Sequence, residues 1–349
     1  MFKNQEGFNN SLFGSYAYQS VIDRHQDHLL VRMQQLIDWS FVESEVADCY
    51  ATIGQHAYHP LIIFKLLILQ NLYNLSERVV CEQTDLNIMY RYFIGMSMTD
   101  AIPHWTEIGK FKERIGIDAF ERLFYRILEE AERLGIEISS KRNADATDIK
   151  ADVDVARCLK DKKGEQDHRW ISRNTSDPDA GFGTKGTAPG SKRWYGYKSH
   201  INQDAKTELV TAVETTDASV SDGSMLASLV DKERDARGED TIRKQGGDKA
   251  YVGNAQALYQ RGILDYTIPR NNMHEERAQK RWNTHYLHLK HQRHNVERKY
   301  AEGKRWHHLG TARYRGRWKV HVQGLLTYLM MNLKRIVTLL LPLQVASQH

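Results

Sequence analysis

The chain has 349 residues, 41% apolar and 27% charged, which excludes wholesale disorder and is enough for one large domain plus a smaller one. Its three cysteines, Cys49, Cys81 and Cys158, are odd in number and far apart, excluding a disulfide framework and a CxxC-type zinc site and pointing to a reducing, cytoplasmic compartment. The net charge of +5 is unevenly spread: residues 1–140 carry 12 Lys+Arg against 19 Asp+Glu, so the rest holds a net +12. Residues 270–319 alone hold 14 Lys+Arg, 4 acids and seven of the 16 histidines. That concentration points to a polyanionic partner, with a solvated basic face as the plain alternative.

The start, MFKNQEGFNN, lacks the apolar core of a signal peptide. The two most apolar stretches, Leu61 to Leu75 and Leu325 to Leu343, are interrupted by Lys65 and by Lys334-Arg335, so neither is expected to cross a membrane. The first 140 residues read as helices. HPLIIFKLLILQNLYNLSERVV opens with a Pro near a helix start, and its apolar residues nearly encircle the axis, as in a helix buried within a bundle. Ser76 followed by Glu77 marks a second start, with an amphipathic stretch to about Phe93. A third helix is predicted from about Asp118 to Leu134, with Phe120, Leu123, Phe124, Ile127 and Leu128 on one stripe and Gly135 at its end. Helices joined by short turns also fit a helix-turn-helix, a pattern that any small bundle shares.

SSKRNA at 139–144 is polar and without apolar periodicity, which places a boundary there: a helical domain over residues 1–138 and a second domain over 139–349. Between Lys160 and Lys192, five glycines, two prolines and dense charge predict a long loop. RWYGYKSHINQ and TELVTAVETT are β-prone runs joined through Asp204-Ala205-Lys206, an antiparallel hairpin. Ser221 or Asp222 is the expected cap of a helix through Met225, Leu226 and Leu229. Short strands are expected around Asp248 and Tyr266, then two long helices, about Trp282 to Gly303 and Leu325 to Leu340.

In this α/β arrangement three acids stand at strand ends or on a helix: Asp145 in NADATDIKAD, Asp248 in GGDKAY and Glu297 in the basic helix. Carboxylates from separate segments are what a pair of Mg²⁺ ions needs, because Mg²⁺ keeps waters and takes a few carboxylates plus a substrate phosphate. Asp148, Asp152 and Asp154 compete locally with Asp145, and Asp248 after two glycines also fits an ordinary turn. Asp177 and Asp179 in DPDA fit either a turn or the ordering of the loop. On a helix, Arg293, Glu297 and Lys304 fall within about 40° of one another, so one face presents a carboxylate between two cations. The plain alternative is a surface Arg/Glu pair. His285, His288, His291 and His294 recur every three residues but fan over about 180° of a helix and cannot converge on one zinc ion, so they read as a basic surface.

DAT at 145–147, DPDA at 177–180, YGYKSHI at 195–201, TTDASVSDGSML at 215–226, DKAY at 248–251 and RHNVERKYAEGK at 293–304 together resemble a bacterial DDE transposase of the insertion-sequence-five family. The block PLIIFKLLILQNLYNLSE is similar to that family's helical N-terminal region. A transposase signature of Tyr, two residues, Arg, three residues, Glu, six residues, Lys is matched by Arg293, Glu297 and Lys304, with Lys290 at the Tyr position.

The resemblance implies a ribonuclease H-like mixed sheet after an all-helical N-terminal domain, with Asp145, Asp248 and Glu297 holding two Mg²⁺ ions, or Mn²⁺ in their place. It implies binding to terminal inverted repeats, cleavage by phosphodiester hydrolysis and transfer of 3′ ends to target DNA. Arg293 and Lys304 are expected to grip phosphates, with Lys198, Arg305, Arg313, Arg315 and Arg317 extending the basic track. Trp306 and Trp318 lie in that track, as core residues or as stacking surfaces for an unpaired base. The helical domain is assigned to end recognition or to assembly, and a homodimer on DNA is expected. The protein would be cytoplasmic and associated with the nucleoid when bound to DNA. A transposase-derived DNA-binding regulator without catalysis, and a nuclease that cuts without joining, are the alternatives.

Overall fold

The computed structural model describes residues 12–50, 57–155, 175–186 and 191–346. Cys158 and most of the predicted 160–192 loop lie outside the described residues. The chain divides into two compact units, one of residues up to Ile136 together with those from Leu329 on, the other Glu137–Tyr328. Residues from Leu329 on, expected in the second domain, thus belong with the first unit.

Seven helices are described in the first unit before residue 137: α1 (Leu12–Arg24), α2 (Leu29–Leu36), α3 (Phe41–Val46), α4 (Pro60–Leu72), α5 (Glu77–Leu86), α6 (Ile88–Ile94) and α7 (Thr106–Arg133). Helix α4 starts as its sequence predicts, with Pro60 in the first turn and the His59 ring accepting from the Leu61 amide at 3.3 Å. All but two of its thirteen residues are buried, which is why its apolar positions show no single face. Even Lys65 is inside: its ammonium donates to Gln34 at 2.6 Å and lies 4.8 Å from the Trp39 ring centre, and burial pushes its pKa down to about 7.

Ser76 caps α5 by accepting from the Val79 amide. The expected single stretch to Phe93 is broken at Asn87, whose side chain accepts from Met89 and Tyr90 and starts α6 as a new helix. Helix α7 begins twelve residues before the predicted start, but Gly116 breaks its helical path (φ 67°, ψ −176°), so the regular part begins where the apolar stripe does. Gly135 ends it at φ 83°.

The second unit is built on a six-stranded mixed sheet. Its strands are β1 (Lys141–Lys150), β2 (Gly181–Lys185), β3 (Lys192–Asp204), β4 (Val210–Asp217), β5 (Lys244–Gly247) and β6 (Leu264–Asp265). Strand β3 is antiparallel to β1 on one side; along its other edge it pairs with β2 and then β4. Beyond β1 the sheet continues with β5 and β6, each parallel to its neighbour. Helix α8 (Leu226–Arg237) follows β4, and the short α9 (Ala255–Tyr259) lies between β5 and β6. An antiparallel β4-β3-β1 part extended by two parallel strands, with helices in the crossovers, is a ribonuclease H-like fold. After α10 (His274–Lys280) come α11 (Thr284–Trp306) and α12 (Arg317–Ala346). The segment Arg317–Leu341 is long and apolar enough to cross a membrane, but 72% of its apolar window is buried in the protein, as in a core helix.

Two expectations are corrected. KRNA, polar and without apolar periodicity, is nevertheless the start of β1, where Arg142, Asn143 and Ala144 are all buried. Arg142 is fully buried and donates to Glu233 at 2.8 Å and to Asp204 at 2.9 Å, while Glu233 also accepts from Thr211 at 2.6 Å. A strand whose buried face carries an arginine shows no apolar alternation. Neither Ser221 nor Asp222 caps α8 by its side chain: a 3-10 turn, Asp222–Met225, leads into the helix, and the Asp222 carboxylate is engaged by Lys198.

Because the Arg142 guanidinium neutralises two buried carboxylates, Arg142→Leu is expected to cost about 3–5 kcal/mol of stability. Urea unfolding of the variant measures this, and a loss under about 1 kcal/mol would contradict the assignment.

Candidate active site

Strand register sets the site. In the parallel pairing of β1 with β5, Ala144 lies opposite Gly247, so Asp145 and Asp248 are the next residues on adjacent strands, whose spacing is about 4.8 Å. Asp248 leaves the strand at once: its carboxylate accepts from the Ala250 amide at 2.8 Å and caps the following 3-10 turn. The turn reading of Asp248 and its place beside Asp145 are therefore both realised.

The alternation of β1 decides what faces what. Arg142 and Ala144 point to the side of α8 and α9, where Ala144 packs with Leu226, Val230 and Leu258. Asn143 points the other way and donates to the Leu289 carbonyl of α11 at 3.0 Å, so with a period of two Asp145 faces α11 as well. Gly246 permits this approach, since a Cβ there would stand 2.3 Å from Asn143 Oδ1 and 3.3 Å from Leu289 Cβ. Glu297 lies two turns beyond Leu289. Between Glu297 and Asp145 stands Arg293, donating to Glu297 at 2.6 Å and lying 4.0 Å from Asp145.

Asp145 is half-buried, its side chain 16% exposed, whereas Glu297 is open to solvent. Burial pushes its carboxyl up to about 7; the Ala146 amide at 2.8 Å and Arg293 pull it down, and the charges of Asp248 and Glu297 push it up. Among the described residues no three His, Cys, Asp or Glu side chains stand close enough to hold one ion. Three like charges repel one another, and Arg293 draws Glu297 to itself.

The rival aspartates are separated by their surroundings. Asp152 and Asp154 are exposed beyond the end of β1. Asp148 accepts from Lys185 at 2.7 Å and from Lys304 at 2.9 Å. Asp177 is buried, accepting from Tyr197 at 2.6 Å and from the Gly316 amide at 3.1 Å, while Asp179 accepts from the Arg317 amide at 3.0 Å. DPDA thus ties the entry of α12 to β3 rather than forming only a turn.

The predicted cations divide into two groups. Lys198 donates to Asp222 at 2.9 Å and to the Val220 carbonyl, and Lys304 and Arg293 are engaged as described. Arg305, Arg315 and Arg317 are exposed and Arg313 is half-buried. Trp306 and Trp318 are at the surface, not in the core, with Arg305 and Lys319 respectively over their rings. His288, His291 and His294 are exposed, in keeping with a basic surface. Lys290, at the signature's Tyr position, has its ammonium 5.9 Å from the Tyr286 ring centre. Beside the carboxylates opens a cleft of about 410 Å³; its Lys185 and Trp194 were not singled out from the sequence, and its Asp222 only as a helix cap.

The chain thus carries acids on β1, just after β5 and on the following helix α11 of a ribonuclease H-like sheet. Residues 144–333 match the family described as "Transposase DDE domain", and residues 19–114 match "Transposase domain (DUF772)". The first match spans more than half of the chain: the chain belongs to the DDE transposase family. Among solved structures it is similar to a piggyBac transposase synaptic complex with hairpin DNA, at 9% identity and a TM-score of 0.36 over 99% of this chain and 79% of the other. It is more loosely similar to a Mos1 transposase paired-end complex with the left transposon end, at 11% identity and a TM-score of 0.20, over 76% of this chain and 86% of that one. A pre-cleavage Mos1 transpososome matches at 10% identity and a TM-score of 0.21, over 93% of this chain and 96% of that one.

A carboxyl whose pKa is raised on folding lowers stability as pH rises from about 4 through 7, and the full penalty applies above 7. In chelator, Asp145→Asn is therefore expected to melt above the wild type at pH 8, with the gap closing below pH 4. Equal melting temperatures at both pH values would contradict the burial of a charged Asp145.

Proposed function

We propose that the chain is the transposase of an insertion sequence of the insertion-sequence-five family, cutting DNA at terminal inverted repeats and joining the 3′ ends to target DNA. The observation that carries this is the register that sets Asp145 beside Asp248 on the face covered by the helix of Glu297.

Three carboxylates offer only hard oxygen donors, which suit Mg²⁺, with Mn²⁺ as a substitute. The fit to a cation is supported by the raised pKa of Asp145, by Arg293 reaching toward both Asp145 and Glu297, and by two buried hydroxyls near Asp145, those of Tyr251 and Tyr300, that lack hydrogen-bond partners. Asp145, Asp248 and Glu297 would hold two divalent cations, which would supply Lewis acidity for a displacement at phosphorus.

Around that chemistry the protein's own groups have defined tasks. Asp145, Asp248 and Glu297 supply the anionic oxygens; Asp145, buried, gives up its proton as the site fills. Arg293, oriented by Glu297, presents positive charge to the phosphate being cut. Lys198, Lys304, Arg305, Arg313, Arg315 and Arg317 hold flanking phosphates and set the strand's position without reading its sequence. The helical unit, with a net charge of −7 up to residue 140, serves end recognition or assembly. Joining two ends requires two active sites, so the working form is a homodimer on DNA.

Asp145→Asn, Asp248→Asn and Glu297→Gln are each expected to lower Mg²⁺-dependent nicking of an inverted-repeat substrate by at least about a hundredfold, while DNA affinity by filter binding stays near wild type. Undiminished nicking by any one variant removes that residue from the site; absence of nicking by the wild type refutes the enzymatic reading.

A further inference from the structure

The cleft beside the carboxylates starts at Ala146, the neighbour of Asp145, and runs between β1, β2, β3 and α11. Three ammonium groups line it, those of Lys185, Lys198 and Lys304, against two carboxylates, Asp148 and Asp222. The charges are not paired one to one. Lys185 and Lys304 converge on a single oxygen, Asp148 Oδ1, at 2.7 and 2.9 Å, the arrangement two lysines adopt around one phosphate oxygen.

The anion is the fixed partner in this contact. The Asp148 side chain is 16% exposed and part of β1, whereas that of Lys185 is 58% exposed on an edge strand. An ion pair so open to water is weak, and the lysine can exchange partners at little cost. Burial pushes the Asp148 carboxyl up, but hydrogen bonds from Lys185 and Lys304 more than offset this and hold it at about 2, so it remains charged. One wall is the Trp194 indole, packed so closely on β2 that a Cβ at Gly183 would lie 2.3 Å from its ring. At about 410 Å³ the cleft has room for a phosphate with its attached sugar.

We propose that this cleft is a phosphate subsite for the DNA strand next to the cutting site, and that Asp148 occupies it in the free protein as an internal stand-in that the strand displaces. The inference rests on the reading of the chain as a DNA-cutting enzyme, and goes beyond it in naming an anion that competes with DNA. An acid that merely positioned its lysines would have the opposite effect on binding from one that competes.

The test measures the affinity of a random-sequence duplex oligonucleotide for the full chain as a function of salt. Asp148→Asn is expected to tighten binding at least about fivefold at 0.1 M salt and to steepen the log–log salt slope by about 0.9, the value of one additional phosphate neutralised. Adding Lys185→Met to Asp148→Asn is expected to remove most of that gain, and Lys185→Met alone, at an exposed position, reports even where Asp148→Asn folds poorly: it should weaken binding about two- to threefold.

Unchanged or weaker binding by a folded Asp148→Asn overturns the proposal, as does a double variant that keeps the full gain or a Lys185→Met that binds as wild type. Inorganic phosphate, added at matched ionic strength, separates a strand from a free anion: phosphate that binds the cleft without weakening duplex binding beyond the effect of salt assigns the cleft to a free anion and overturns the DNA subsite. Failure of the wild type to bind duplex at all would instead refute the proposed function.

Discussion

Two backbone segments running side by side in parallel, β1 and β5, determine where the acids of this protein lie. Ala144 opposite Gly247 makes Asp145 and Asp248 successors on neighbouring strands, and a shift of one residue would turn Asp145 to the opposite face of the sheet. The surroundings hold that register. Gly246 lets Asn143 and α11 close on β5, and Gly247 packs against Tyr251, whose ring a Cβ would approach to 3.0 Å. On the other face Arg142, Asp204 and Glu233 clamp the start of β1 to the β3–β4 turn and to α8. A parallel pair of only four residues is thus fixed by polar contacts on one face and by glycine-permitted packing on the other.

Charge balance, more than shape, organises the surface around this register. Asp145 lies in an environment that disfavours its ionised form, whereas three residues along the same strand Asp148 is overcompensated by two lysines. One acid therefore lacks positive charge and its neighbour has a surplus within reach. Arg293 and Lys304, on one face of α11, supply cations to Asp145 and Asp148 respectively. That face is what the spacing of Arg293, Glu297 and Lys304 describes: Arg293 and Lys304 each reach a different acid of β1, the long Lys304 side chain extending to Asp148.

Elements whose buried side is apolar were legible from sequence. Pro60 and the encircling Leu and Ile of α4, the stripe from Phe120 to Leu128, and the β3–β4 hairpin all follow from apolar spacing. KRNA was not legible because two of its three buried residues are polar: Arg142, partnered by acids 62 and 91 residues away, and Asn143, bonded to the Leu289 carbonyl. The strand before Asp248 is expected from its place in the order of elements rather than from composition, since its glycines answer to α11 and Tyr251 and not to strand propensity. The break at Asn87 was in principle readable as a cap inside an amphipathic run. Among the acids, local pattern left Asp145, Asp148, Asp152 and Asp154 equivalent; Asp145 and Asp148 are enclosed alike, and what separates them is the cross-strand neighbour Asp248 of the one and the two lysines of the other, neither a local property. Lys185 and Trp194 escaped notice for the same reason: only the pairing of β2 with β3 brings them to the cleft.

The central claim is that segments around residues 145, 248 and 297 share one divalent-cation site. Replacing Mg²⁺ by Fe²⁺ in the full chain and generating hydroxyl radicals with ascorbate and peroxide cuts the backbone only near the bound ion. The account predicts three sets of fragments, ending close to Asp145, Asp248 and Glu297, all suppressed by excess Mg²⁺. Cuts confined to one of these segments, or clustered at the histidines of α11, would contradict it.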